Sequence, residues 1–491
     1  MQRPPTDPRT SGAVRAPRRR GRRSRRALTP ALVLALGLAT PGAVAVAAPD
    51  AAPTPARAAT VDLPAPAVTG GLTTGFEASG GSAWTTLEQE QAFLAALDET
   101  SPRLRVEEIG RTAQDRPLQL LVLGASTAPD AATVARGSSV LFTCTQHGDE
   151  PSGRDACLSL ARDLATTSDP ATLELLRRST VLIVPTVNPD GVAADTRQNS
   201  EGVDINRDHL QLQTVEAQTL ARVLRDLRPD IVHDLHEYGP TPDVYDRDFI
   251  ALWPRNRNVD DRVQDLSRVL TEQAVLPAVD RGGFSTGIYG YRYDRNGDVY
   301  AQAAGDGQER ILRNTVGLKH SLGILVEASN GPADEREAAN PALLNQRRWA
   351  TQVLGARAAL GLLAEQRSEI ADATAASAAR AADGVDLVAY AGADNELPAP
   401  DEVDLAPPCG YLLSAEQAAR VALQLDLHGL RTEPGGSTTG AAEGDVLVPT
   451  DQPGRVLASL LLDPQAQYGL FPAETPEGDP TGDTTRPVAC D

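Results

Sequence analysis

His147 and Glu150 stand three residues apart directly after an apolar run. His236 closes a second apolar run 86 residues beyond Glu150. A metal site needs neutral imidazoles and a carboxylate converging on one point, and His-x-x-Glu at a strand-to-helix turn can turn both side chains the same way. Two histidine nitrogens, one carboxylate and an open position form the donor pattern of catalytic zinc. On its own the short motif also fits a helix N-terminus, where the dipole favours acidic residues. Polar residues lie between the two histidines: Asn188-Pro189-Asp190-Gly191, then Arg197, then Gly202-Val203-Asp204-Ile205-Asn206-Arg207. Glu327 is a lone carboxylate in the apolar run Leu322–Ala328. An unpaired buried carboxylate is costly, so a role is expected of it. His233 is three residues before His236, and strand alternation points it to the opposite face as a core residue. His209, His320 and His428 read as structural.

These residues need a scaffold that brings distant strand ends together. Helical spacing is found over Thr86–Leu97, Gly153–Ala165, Val215–Leu227 and Arg347–Glu365. Strands are expected at Leu104–Glu108, Leu118–Leu123, Ser139–Gln146, Thr180–Val187, Ile231–His236 and Leu322–Ala328. Alternation of the two types implies an α/β domain, with a mixed, mostly parallel central sheet flanked by helices. The expected organisation is a signal peptide at 1–47, a linker at 48–82 and a catalytic domain at 83–365. An Ala-rich helical tether at 366–384 and a small C-terminal accessory domain at 385–491 follow.

The net charge of −20 over 491 residues argues against a nucleic-acid partner, which needs a broad basic face. Residues 1–47 hold ten Arg and one Asp. The remaining residues carry 36 Lys+Arg against 65 Asp+Glu, a net −29. The basic run Arg18–Arg26, the apolar stretch Leu28–Val46 and the small-residue site Ala45-Val46-Ala47 together read as a cleaved secretory signal. Ser24-Arg25-Arg26-Ala27-Leu28 is similar to a twin-arginine signal. A secreted protein with no stable membrane insertion after signal removal is expected. Export permits disulfides. Cys409 and Cys490 are expected to pair, while Cys144 and Cys157 could pair or be two small buried hydrophobes.

The ordered set HGDE (147–150), NPDG (188–191), Arg197, GVDINRD (202–208), DLHEY (234–238) and ILVEA (324–328) resembles the zinc carboxypeptidase family, the carboxypeptidase A-like metallopeptidases. IGRTAQDRPLQLLVLG (109–124) is similar to that family's opening strands. The resemblance covers about 83–365. It implies one Zn(2+) per chain held by His147, Glu150 and His236, with Asp204 orienting His147. It implies Glu327 as general base toward a zinc-activated water, and Arg197 as the cation that polarises the scissile carbonyl and stabilises the oxyanion. Asn206 and Arg207 match the pair that grips the terminal carboxylate of a peptide substrate, a task suited to a planar guanidinium. The family's mobile tyrosine has candidates in Tyr289, Tyr291, Tyr293 and Tyr300.

The implied function is an exported metallocarboxypeptidase acting on peptides with a free C-terminal carboxylate, of undetermined oligomeric state. The rivals are a zinc amidase acting on murein stem peptides or acylated amino acids, and a catalytically dead binding module. The 86-residue spacing is closer to the aspartoacylase-like branch, whereas Asn206-Arg207 and NPDG favour the peptidase branch. Arg310 and Arg313, 17 and 14 residues before Glu327, are expected on the exposed face of a helix over 308–318. In the alternative, one of them selects an acidic C-terminal residue.

Overall fold

The computed structural model describes residues 72–490 apart from 242–244, 294–298, 386, 437–439 and 474–482. The expected signal peptide and the linker up to residue 71 lie outside the described residues. Residues 72–82 differ from the linker expectation: Gly75–Ala78 is a helical turn closed by a Thr74/Glu77 capping box, with Phe76 buried against Trp84.

Among the described residues ten strands follow in the first part of the chain: β1 Leu104–Arg111, β2 Pro117–Leu123, β3 Ser138–Cys144, β4 Ser179–Val184, β5 Ile231–Tyr238, β6 Phe249–Leu252, β7 Thr286–Ile288, β8 Tyr291–Tyr293, β9 Val299–Gln302 and β10 Leu322–Ser329. Eight form one sheet in the order β1-β2-β4-β3-β5-β10-β6-β7, and β8 pairs with β9 apart from it. The centre is parallel (β4·β3, β3·β5, β5·β10), as is the edge pair β6·β7. The pairs β1·β2, β2·β4 and β6·β10 are antiparallel. The expected mixed, mostly parallel α/β sheet is what the chain forms.

Period-two alternation explains why both faces are covered. Leu121, Leu123, Val140, Phe142, Val181, Ile183, Ile231 and Leu235 belong to one core cluster, beneath the helices Leu87–Thr100, Ser152–Thr166 and Pro341–Asp383. Their neighbours Leu120, Val122, Leu141, Leu182, Val184 and Val232 belong to a second cluster with the helix Val215–Leu227. The sequence divides the stretch after 347 into a helix and a tether. One helix, Pro341–Asp383, runs through both and kinks at Gln366 (φ −113°, ψ 18°).

Residues 385–490 contribute a four-stranded sheet and the helices Ala415–His428 and Arg455–Leu462. Their core, around Tyr411, Leu425, Val448 and Leu461, takes in Leu210, while Val456 and Leu460 join the first cluster. Both cysteine pairs form disulfides, Cys144–Cys157 and Cys409–Cys490. None of the described helices is long and apolar enough to cross a membrane.

Candidate metal centre

The centre of the sheet delivers the site. His147 follows β3 by three residues, while His236 and Glu327 lie on the neighbouring strands β5 and β10. The parallel register sets Glu327 directly beside His236, so both project from one face. The even residues Val232, Asp234 and His236 face this side. The odd residues Ile231, His233, Leu235 and Glu237 face the other, where His233 packs on Phe142 and Glu237 pairs with Arg348. His233 is thus a core residue, as alternation required. It is fully buried, both ring nitrogens lack a partner among the described residues, and burial lowers its pKa to about 3 against a smaller opposing effect of Asp234.

The turn after β3 is unusually tight. Thr145 has φ +56°, a costly conformation for a β-branched residue. Its carbonyl accepts from the Asn188 amide (3.0 Å), and its hydroxyl reaches the Glu150 carbonyl (3.3 Å). A Cβ on Gly148 would lie 2.0 Å from the Gly191 carbonyl carbon. The HGDE and NPDG segments therefore press backbone to backbone, and only glycine at 148 permits it.

His147, Glu150 and His236 are all buried and offer ligand atoms within 4.8 Å of one another. His147 Nδ1 is 2.7 Å from Glu150 Oε1, His236 Nδ1 is 2.9 Å from Glu150 Oε2, and the two Nδ1 atoms are 3.1 Å apart. Tetrahedral zinc with Zn–N near 2.0–2.1 Å needs its nitrogens roughly 3.3 Å apart. The donor set and its spacing fit zinc. Burial raises the Glu150 carboxyl, but His147 and His236 overcome that and leave it below the usual range.

Each imidazole turns its far nitrogen to a carboxylate. His147 Nε2 meets Asp204 Oδ1 at 3.1 Å, and His236 Nε2 meets Asp234 Oδ2 at 2.8 Å. That contact fixes which nitrogen faces the metal position. Asp234 in turn accepts from Thr143 Oγ1 and from Gln146 Nε2 on both oxygens, each at 2.8 Å, and His209 Nε2 meets Gln146 Oε1 at 2.7 Å. The sequence reading passed over Asp234, although Asp-x-His on a strand puts both side chains on one face. His209, read as merely structural, supports this network at one remove.

Arg197 donates from Nε (3.1 Å) and Nη2 (2.9 Å) to Asp204 Oδ2. Its Nη1 lies 3.1 Å from His147 Nδ1 and 3.5 Å from Glu150 Oε1. Its side chain is 40% exposed, so the guanidinium borders both the metal position and solvent. Asn206 Nδ2 is 3.1 Å from His236 Nε2, and Asn206 Oδ1 accepts from the Leu312 amide at 2.9 Å. Arg207 is exposed at the rim and donates to the Asn206 carbonyl (2.8 Å). Burial, and then the charge of Glu150, push the Glu327 carboxyl well above its ordinary value, with His236 and Arg197 acting against the rise. Of the four tyrosines, Tyr289 is the one within electrostatic reach of Glu327. Its ring lies 5.5 Å from that of Tyr245, a second neighbour of Glu327 that sequence reasoning missed. Tyr300 is 58% exposed.

The expectation of an exposed helix over 308–318 is overturned. The helix is Leu312–Leu318, every residue of it is buried, and Arg313 is only 3% exposed. Arg310 is half-buried, with its guanidinium over the Tyr468 ring (3.9 Å).

A parallel sheet that carries two imidazoles and a carboxylate to one buried point, with further carboxylates behind the imidazoles, defines an α/β protein able to hold a single metal ion. Residues 90–239 match the model of the zinc carboxypeptidase family. Carboxypeptidase 2 of Trichophyton rubrum is 27% identical over 284 residues, 56% of this chain and 52% of its own length. Carboxypeptidase E of Caenorhabditis elegans is 32% identical over 143 residues, 26% of this chain and 30% of its own length. The chain spans about half the length of the first of these relatives, or less. A metallo-carboxypeptidase from Burkholderia cenocepacia is similar over 58% of this chain and 70% of that one, at 21% identity and TM-score 0.44.

Proposed function

We propose that the chain is an exported zinc metallocarboxypeptidase that hydrolyses the C-terminal peptide bond of peptides or proteins. The observation that carries this reading is the convergence of His147, Glu150 and His236 beside Glu327, with the first three inside the segment that matches the zinc carboxypeptidase model. The basic, then apolar, then small-residue N-terminal segment supports export. His147, Glu150 and His236 would hold one zinc ion per chain. When bound, zinc supplies a Lewis acid that polarises the scissile carbonyl and acidifies water, and its charge offsets the repulsion between Glu150 and Glu327.

The chain's own residues do the rest. Asp204 and Asp234 hold the two imidazoles in the ligand tautomer. Glu327 takes a proton from the attacking water and returns it to the leaving amine. Arg197 stabilises the negative charge that develops on the carbonyl oxygen, and its own contact with Asp204 keeps it in place before substrate arrives. Arg207, with Asn206 beside it, receives the substrate's terminal carboxylate. Tyr289 is the tyrosine that closes over the substrate.

The test is release of the last residue from a peptide series with free or amidated C-termini. Free peptides are cut, amidated ones are not, and Arg207→Ala lowers kcat/KM mainly through KM. Equal cleavage of both, untouched by Arg207→Ala, contradicts an exopeptidase and favours an amidase on another substrate class.

A further inference from the structure

Glu237 follows His236 on β5 and turns to the face of the sheet away from the metal position. Its side chain is fully buried, yet it carries a carboxylate. One oxygen, Oε1, accepts from the Ser152 amide at 2.7 Å. The other, Oε2, accepts from Arg348 Nε at 2.6 Å and is also paired with Nη2. The backbone amide of the same residue donates to Glu150 Oε2 at 3.1 Å. One residue of β5 thus holds both the carboxylate of Glu150 and the chain two residues beyond it.

Ser152 opens the helix Ser152–Thr166. The N-cap of that helix is Pro151, which makes no side-chain hydrogen bond to the first-turn amides. Those amides need acceptors, and the helix dipole favours a carboxylate among them. Glu237 supplies that carboxylate from a separate strand. Of the three candidate ligands, His236 is fixed by β5 and His147 by the turn where Gly148 meets Gly191. Glu150 is the one whose place depends on the start of this helix.

Arg348 reaches Glu237 from the helix Pro341–Asp383. One turn on, Gln352 donates to the His236 carbonyl at 2.7 Å. One turn back, Asn345 Oδ1 accepts from Arg348 Nη1 at 3.1 Å. The Trp84 ring covers the guanidinium, 4.8 Å from its central carbon. A buried ion pair is often no more stabilising than apolar residues of the same volume, so stability alone does not account for this one. What the pair does is anchor the helix start, and with it Glu150, to the end of β5.

We propose that Glu237, held by Arg348, is a positioning residue that fixes Glu150 beside His236 so that both can meet one metal ion. The assignment rests on the reading of His147, Glu150 and His236 as zinc ligands. Groups that orient a metal's ligands contribute about 10–100-fold to its affinity. The coupling is reciprocal: zinc tightens the Glu237–Ser152 contact by the factor with which that contact tightens zinc.

The test uses the full chain and zinc competition with a chromophoric chelator. Glu237→Leu/Arg348→Met removes the charged pair as a unit and leaves the Ser152 amide without its acceptor. Glu237→Gln/Arg348→Met removes both charges but keeps an oxygen for that amide. The first variant loses about 10-fold or more in zinc affinity, and the visible spectrum of its cobalt-substituted form shifts. The second stays within about 3-fold of wild type, with its cobalt spectrum unshifted. If either variant does not fold, amide hydrogen exchange of wild type decides: bound zinc slows the Ser152 amide at least ~10-fold more than the amides near Thr166. A smaller loss in the first variant, equal losses in both, or no added protection of Ser152 overturns the assignment and leaves the carboxypeptidase reading intact. Wild type that binds no zinc overturns both.

Discussion

Asp234→Asn isolates the part of the metal centre that the fold builds behind its ligands. Asp234 is 1% exposed and its two oxygens accept from Thr143, from Gln146 twice and from His236, each at 2.8 Å. Asparagine has nearly the same shape, but its amide puts donors where one of these donors now points. The imidazole of His236 then loses the acceptor that fixes its tautomer and tilt. Outer partners of this kind contribute 10–100-fold to metal affinity, roughly 1.4–2.7 kcal/mol. The unsatisfied donors cost a further ~1–3 kcal/mol of folding stability. Zinc dissociation constants measured by competition with a chromophoric chelator, on protein whose circular dichroism matches wild type, read the first effect directly. A fall in affinity of 10-fold or more is expected, with His209→Phe showing a smaller fall because it acts through Gln146. An Asp234→Asn protein that binds zinc within 2-fold of wild type refutes the claim that Asp234 positions His236.

Glu327→Gln keeps the zinc and loses catalysis: kcat should drop by about 10²–10⁴ with metal content unchanged, and activity within 10-fold of wild type would contradict a general-base role. His233→Leu should stabilise the fold most at low pH. The folded pKa of His233 is depressed to about 3 against ~6.5 unfolded, so its neutral form stabilises the fold fully above pH ~6.5 and progressively less toward pH 3. Urea midpoints should therefore show a gain about 2 kcal/mol larger at pH 5 than at pH 8, and an equal gain at both pH values would refute the assignment. Cys409→Ala/Cys490→Ala opens a crosslink of sequence separation 81, for which loop entropy gives about 4.5 kcal/mol. A lowered melting temperature is expected, and an unchanged one would show that the crosslink does not stabilise this region.

What could be read from the residues follows their physics. Of the candidate ligands, His147 and His236 were legible because they sit at or just past the ends of apolar runs, and Glu150 because of its His-x-x-Glu spacing. The helix Val215–Leu227 matched to the residue because its apolar stripe is regular and Thr214 caps it. Strands β6 and β7 were missed. They are four and three residues long, with no alternation to reveal them. The long helix was divided where the Ala-rich composition begins, and the chain kinks at that point without ending. Arg313 was misplaced because a short helix buried on every side has no polar face, so a charged residue within it looks exposed. Asp234 was passed over although alternation places it with His236. Its role depends on Thr143 and Gln146, which reach it from another strand and turn.

The central claim is tested most directly by metal content together with activity. Purified protein should carry one zinc per chain, release C-terminal residues from peptides, lose that activity on exhaustive chelation and regain it on adding back one equivalent of zinc. Protein that binds no zinc, or two metal ions per chain, or that releases C-terminal residues equally well after chelation, contradicts the account.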